Sequence, residues 1–175
     1  MCFLCKPKPK SAIGIVTFCK RDPIKILNWI YSNIWYESDD DNHQIKEYWQ
    51  TTKETLTGEY NDGSIGKPYS GDCEDSCITA RDCFNILGIC SYIIAVGTPS
   101  EWAGDIPIKY KGHAVLVYEM NGKWYHFSNW GIKHTKATRM EDVAQYVYNK
   151  PGYWKPVEDI IEGKPIYGKT NVIGW

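Results

Sequence analysis

Apolar positions recur at helical spacing through the first half of the chain and then give way to continuous and alternating runs. That succession predicts helices first and strands afterwards. Ile24, Ile26, Leu27, Ile30 and Ile34 lie on one helical face. With Asp22 as cap and Pro23 in the first turn, they predict a helix over 23–36. A second short helix is expected around 46–56, closed by Gly58. Cys77, Ala80, Cys83, Phe84 and Leu87 mark the core face of a third, which opens at Cys73 and stops at Gly88. The continuous apolar run 90–96 suits a buried strand. Residues 113–119 and 123–128 flank Asn121-Gly122 as the arms of a hairpin. A last short helix is expected over 143–148. Loops are expected over 58–71 and around Pro99, Gly104 and Pro107. Residues 1–11 read as an extended lead-in and 150–175 as an irregular tail. No repeat divides the chain. The expected architecture is one α+β domain over 1–175, with N-terminal helices packed on an antiparallel sheet.

Composition narrows the function classes. At 175 residues, 43% apolar and 14% aromatic, the chain has enough apolar material for a single packed core. The net charge of −1 is spread without a basic stripe, which argues against nucleic acid as a partner. No window approaches the roughly 18 apolar residues of a membrane span. The lysines near the start follow a short apolar run instead of preceding it, unlike a secretory signal. Seven cysteines are an odd number and suit free thiols in a reducing compartment. A cytoplasmic monomer is expected, in the cytosol of a host cell if the gene is carried by a phage. Cys2-Phe3-Leu4-Cys5 has metal-ligand spacing, but no second pair follows, and it reads as part of the lead-in.

The candidate chemistry lies in Gly71-Asp72-Cys73-Glu74-Asp75 and Gly112-His113-Ala114-Val115-Leu116. A cysteine at a helix N-terminus gains from the positive end of the helix dipole. A histidine opening a strand is a base on a rigid element. A third group must orient that base, and the hairpin offers two. A two-residue turn at Asn121-Gly122 puts Ser128 on the His113 face; a three-residue loop with a bulge puts Asn129 opposite His113. An amide oxygen accepts an imidazole N–H more directionally than a hydroxyl does, which favours Asn129. The oxyanion donors would be the Cys73 amide and one group among Tyr48, Trp49, Gln50 and Tyr69, with Trp49 or Gln50 preferred. Trp49 and Trp130 are expected in the cleft walls, and His126 shares the Ser128 face. His43 and His134 read as solvent-facing, and Asp39-Asp40-Asp41 as a solvated turn. Asp72 and Asp75 suit caps of the helix N-terminus; with Glu74 they would repel a thiolate, a repulsion that a hard cation would relieve.

Three ordered blocks carry a resemblance. The first is Glu47-Tyr48-Trp49-Gln50-Thr51-Thr52-Lys53-Glu54-Thr55-Leu56; the second and third are the Cys73 and His113 strings. Together they resemble the bacterial transglutaminase-like cysteine proteinase family. The resemblance implies a papain-like fold, a Cys-His-Asp triad and peptide-bond hydrolysis. It also implies a calcium site in some members, at positions matching Asp72 and Glu74. Ser128 stands where that family has Asp, Thr52 where it has Pro, and residues 59–69 are an insertion. Asn129-Trp130-Gly131 resembles the Asn-Ser-Trp-Gly string of papain-type proteases. The expectation is therefore a cysteine peptidase that cleaves a peptide or isopeptide bond of a protein or peptide substrate. Cys73, His113 and Asn129, with Ser128 as the alternative third member, would carry it through a thioacyl-enzyme, with no cofactor required. The alternatives are acyl transfer to an amine, or a degraded site that only binds.

Overall fold

The computed structural model describes residues 8–38, 48–103 and 106–173, with the backbone alone over 100–103 and 106–110. Cys2, Cys5, Asp39, Asp40, Asp41, His43 and Glu47 lie outside the described residues. The fold is α+β. Helices α1 (Ala12–Phe18) and α2 (Pro23–Asn33) precede a two-residue strand β1 (Trp35–Tyr36). Helix α3 (Thr52–Thr57) and strand β2 (Ser70–Gly71) lead into α4 (Cys73–Leu87). Then come β3 (Ser91–Ala103), β4 (Ile106–Met120), β5 (Lys123–Ser128) and β6 (Gly131–His134). A short helix α5 (Gln145–Tyr148) precedes β7 (Gly152–Ile161), β8 (Lys164–Tyr167) and β9 (Asn171–Ile173).

The antiparallel sheet has the order β6-β5-β4-β3-β7-β8, with β9 also paired to β7. Its central strands are covered on both faces, which is why they read as continuous apolar runs. Ile93, Ala114, Leu116, Tyr118 and Phe127 pack with α1, α2 and α4 in one cluster. Ile94, Val96, Val115 and Val117 face the other way, beneath Val143 and Ala144.

Several expectations are corrected. Helix α2 stops at Asn33 instead of reaching 36, because Trp35 and Tyr36 pair in parallel with Ser70 and Gly71. The short Ala12–Phe18 helix was hidden by Gly14 and β-branched residues, but Ser11 caps it and Ile15 and Val16 are buried. Helix α3 begins at Thr52, leaving the preceding residues 48–50 outside any helix or strand. The expected loop at Pro99 and Pro107 is strand, with register shifts between Pro99, Glu101 and Trp102. Strand β7 pairs with β3 only over Ile94–Gly97, so beyond Gly97 a missing proline N–H costs no ladder bond on that side. The tail over 150–175 is not irregular: it forms β7, β8 and β9. Its hairpin turn, Glu162-Gly163, has φ of 49° and 73°, matching the 55° and 71° of Asn121-Gly122. Glutamate is an unusual residue for that conformation, so the signal was weak.

Candidate active site

Buried carboxylates hold the start of α4. Asp72 caps the helix, its side chain accepting from the Glu74 amide at 3.2 Å. Asp75 closes a capping box, accepting from the Asp72 amide at 3.1 Å. Its other oxygen accepts from the Gln50 amide at 2.7 Å, which ties residues 48–50 to the helix entrance. A second box fixes the same stretch from its far end. Glu54 accepts from the Thr51 amide and hydroxyl, the Tyr48 hydroxyl and the Asn61 amide, all within 3.0 Å. The first motif block is thus chiefly a brace.

Strand β5 ends at Ser128, so β4 has a free edge alongside Ala114. The helix N-terminus occupies that edge. The Ala114 amide donates to Cys73 Sγ at 3.3 Å, and one turn on, Cys77 Sγ lies 3.5 Å from the carbonyls of Ala114 and Phe127. This seats the sulfur against the backbone next to His113. The hairpin has a two-residue turn, Met120 pairing with Lys123 and Leu116 with Phe127. That register puts His113 and Ser128 on one face, and His113 Nε2 lies 2.9 Å from Ser128 Oγ. The Trp130 amide donates to the same oxygen at 3.1 Å. The Trp130 ring stacks on the imidazole with centroids 3.7 Å apart, and Tyr148 packs against both rings.

A cavity of about 360 Å³ opens at this point. It exists because the sheet face changes character past the helix end. Under α4 the cross-strand pair is Ile93 with Leu116; the next pairs on that face are Ala95 with Ala114 and Gly97 with Gly112. Small side chains leave a trough floored by strand backbone. Asp72, Cys73, Glu74, Trp49, Tyr153, Lys155 and Tyr167 are among the residues that line it; His113 also borders it, from a position paired with Val96 on the opposite sheet face. The Tyr153 ring lies across Gly97, where an added Cβ would come within 2.5 Å of it. Trp49 is held by its amide on the Gly163 carbonyl and by an edge contact of its ring with Tyr167. The C-terminal strands therefore supply one wall of the cavity, through Tyr153, Lys155 and Tyr167.

The electrostatics favour neutral partners. Burial pushes the Cys73 thiol well above its usual pKa, and the Glu74 and Asp72 carboxylates push it further. The thiol donates to Glu74 Oε2 at 3.1 Å. Opposing this, the Ala114 N–H favours the thiolate. Burial lowers His113 to about 4, with His126 and Lys111 adding repulsion. The site is built as thiol and neutral imidazole. For a cation, Asp72, Cys73 and Glu74 offer ligand atoms within 4.8 Å of one another. Two carboxylates and a soft sulfur suit at most a water-rich hard-cation site. Asp75 is turned away by its backbone bonds.

The structure brings His113 and Ser128 into contact and sets Cys73 Sγ against the Ala114 amide, next in the chain to His113; Cys73, His113 and Trp49 all line the cavity. Asn129 is not the hydrogen-bond partner of His113; its Oδ1 is buried and unbonded. Trp130 is 40% exposed and covers the imidazole from outside the cavity. Gln50 is buried, and neither polar atom of its carboxamide has a partner. The Tyr48 hydroxyl is engaged by Glu54, and the Tyr69 hydroxyl donates to the Pro9 carbonyl at 3.1 Å. His126 is buried and His134 exposed. Sequence reasoning missed Tyr148, whose buried hydroxyl has no partner and whose pKa rises to about 12 through burial and the nearby Cys73 charge. It also missed Tyr153, Lys155 and Tyr167. The signal for the cavity itself was available as the small residues Ala95, Gly97, Gly112 and Ala114, spaced two apart on paired strands.

No family model matches the chain, and no curated protein or solved structure gives a match. No described helix is long and apolar enough to cross a membrane.

Proposed function

We propose that the chain is a papain-like thiol hydrolase acting on a peptide or isopeptide bond, with Cys73 as nucleophile, His113 as base and Ser128 as the group that orients the base. The observation that carries this is the seat of Cys73 Sγ, 3.3 Å from the amide of the residue after His113, while Ser128 holds the imidazole. With Nε2 turned to Ser128, Nδ1 is the nitrogen left for the thiol proton. Sγ attacks the carbonyl carbon as that proton passes to His113. The Cys73 amide, first in its helix and without an intrahelical acceptor, donates to the developing oxyanion. Collapse breaks the C–N bond, and the protonated imidazole returns its proton to the leaving amine. Water, deprotonated by His113, then cleaves the thioester and releases the acid. An amine in place of water would give acyl transfer through the same intermediate.

Because the resting thiol is neutral, the proton moves as the bond forms, without a preformed ion pair. A hard cation held by Asp72 and Glu74 would offset their charge and favour the thiolate. Turnover of a peptide library by wild type, Cys73→Ala and His113→Ala tests the reading. Activity in wild type alone supports it, and equal activity in all three removes it.

One observation favours a second reading. The two carboxylates and burial all suppress the thiolate, which suits a site that binds without reacting. Failure of iodoacetamide to modify Cys73 under native conditions would favour that reading.

A further inference from the structure

The cavity is electrically lopsided. Its thiol end carries Asp72 and Glu74, and its far wall carries Lys155. The Lys155 ammonium lies over two aromatic faces, 5.9 Å from the Tyr153 ring centroid and 5.5 Å from that of Tyr167. It makes no ion pair among the described residues, unlike Lys25, Lys53 and Lys67, each of which faces a carboxylate. Aromatic faces hold a cation in place without neutralising it. A positioned, uncompensated cation in a cavity that also holds the candidate nucleophile is a recognition element.

Position in the sheet sets the reach. Lys155 pairs with Ala95, and Ala95 with Ala114, whose amide touches the sulfur. Two strand spacings separate Lys155 from Ala114, about 10 Å. An extended residue advances about 3.5 Å, and an acidic side chain covers much of the remainder. Tyr153 and Lys155, two apart on β7, share one face, and Gly97 leaves room for the Tyr153 ring that steadies the ammonium.

We propose that Lys155 is the specificity-determining residue of this cavity and selects substrates that carry a carboxylate about one residue from the attacked carbonyl. The proposal deepens the thiol hydrolase reading and rests on it. Asp72 and Glu74 repel an anion from the thiol end, so the two ends act together: the carboxylate goes to Lys155 and the carbonyl to Cys73. The carboxylate belongs either to an Asp or Glu side chain or to a peptide C-terminus.

The test uses the intact chain and two small thiol reagents of opposite charge, sulfonatoethyl and trimethylammonioethyl methanethiosulfonate. Rates of modification at Cys73 are read by mass spectrometry of the peptide that holds it. The ratio of anionic to cationic rate is expected to fall at least about 10-fold in Lys155→Glu, and in the same direction but less in Lys155→Gln. Lys123→Glu, an exposed change at the hairpin turn, should leave it unchanged. A ratio within about twofold of wild type in both Lys155 variants overturns the proposal. A Cys73 that neither reagent modifies overturns the thiol reading itself, and the proposal with it. Peptide libraries with free and amidated C-termini then separate the two sources. Acid enrichment next to the cut in both libraries assigns a side chain, and cleavage confined to free termini assigns the terminal carboxylate. Cleavage with no acid preference overturns the proposal.

Discussion

Ser128 Oγ lies 2.9 Å from His113 Nε2 and also receives the Trp130 amide at 3.1 Å. One fully buried hydroxyl thereby fixes both the imidazole and the aromatic ring stacked on it. A hydroxyl orients a base without adding the charge that would stabilise an imidazolium. Ser128→Ala should therefore lower kcat about 10- to 100-fold, less than loss of a triad carboxylate costs. Asn129→Ala should cost under about threefold, because its side chain does not reach the imidazole in this register. Steady-state kinetics on a cleaved library peptide measures both. A reversed order would restore the amide as the orienting group.

Glu74 accepts the Cys73 thiol proton and raises the thiol pKa, behind burial and ahead of Asp72. Removing its charge lowers that pKa, so more thiolate is present at any given pH. Iodoacetamide should modify Cys73 faster in Glu74→Gln than in wild type at pH 8, by about threefold to tenfold. Calcium should raise the wild-type rate and leave the variant unchanged. Cys90, the exposed thiol among the described residues, serves as an internal reference.

His113 and His126 are both buried, with pKa values lowered from 6.5 to about 4, chiefly by burial. In the unfolded chain each takes up a proton near 6.5, so the folded state binds fewer protons between the two values. The stability each contributes is complete above pH 6.5 and is lost as pH falls through about 4. Each is worth up to about 3 kcal/mol. Urea unfolding should show stability falling steadily from pH 7 to pH 4. His126→Gln should flatten that slope, and an unchanged slope would contradict the assignment.

Asp75 joins helix α4 to the 48–50 stretch through the amides of Asp72 and Gln50. It is fully buried, and Gly71 leaves no room for a Cβ, which would lie 2.5 Å from the Asp75 carboxylate. Asp75→Ala strands one buried and one half-buried donor and should cost about 3 kcal/mol in denaturant unfolding. A change below about 1 kcal/mol would mean that the brace is not structural.

Helices α2 and α4 and the central hairpin were legible because their signals are local. Asp22-Pro23, Gly88 and Asn121-Gly122 act through the backbone conformation of one or two residues. The site was legible where a backbone element fixes it: Cys73 at a helix mouth, His113 at the free edge of a strand. The third member depended on the turn type, and chemistry argued for the amide where geometry favours the hydroxyl. The C-terminal strands were illegible for a different reason. Their turn places a glutamate at positive φ, and their residues are half-exposed, so neither turn chemistry nor alternation marks them. With them went Tyr153, Lys155 and Tyr167, which form one wall of the cavity.

The most direct measurement is the intact mass of the chain, acid-quenched during turnover of a peptide library. The account predicts an acyl adduct that maps to Cys73 in wild type, accumulates less in His113→Ala and is absent in Cys73→Ala. Hydrolysis that continues undiminished in Cys73→Ala, with no adduct on the wild-type sulfur, would contradict it.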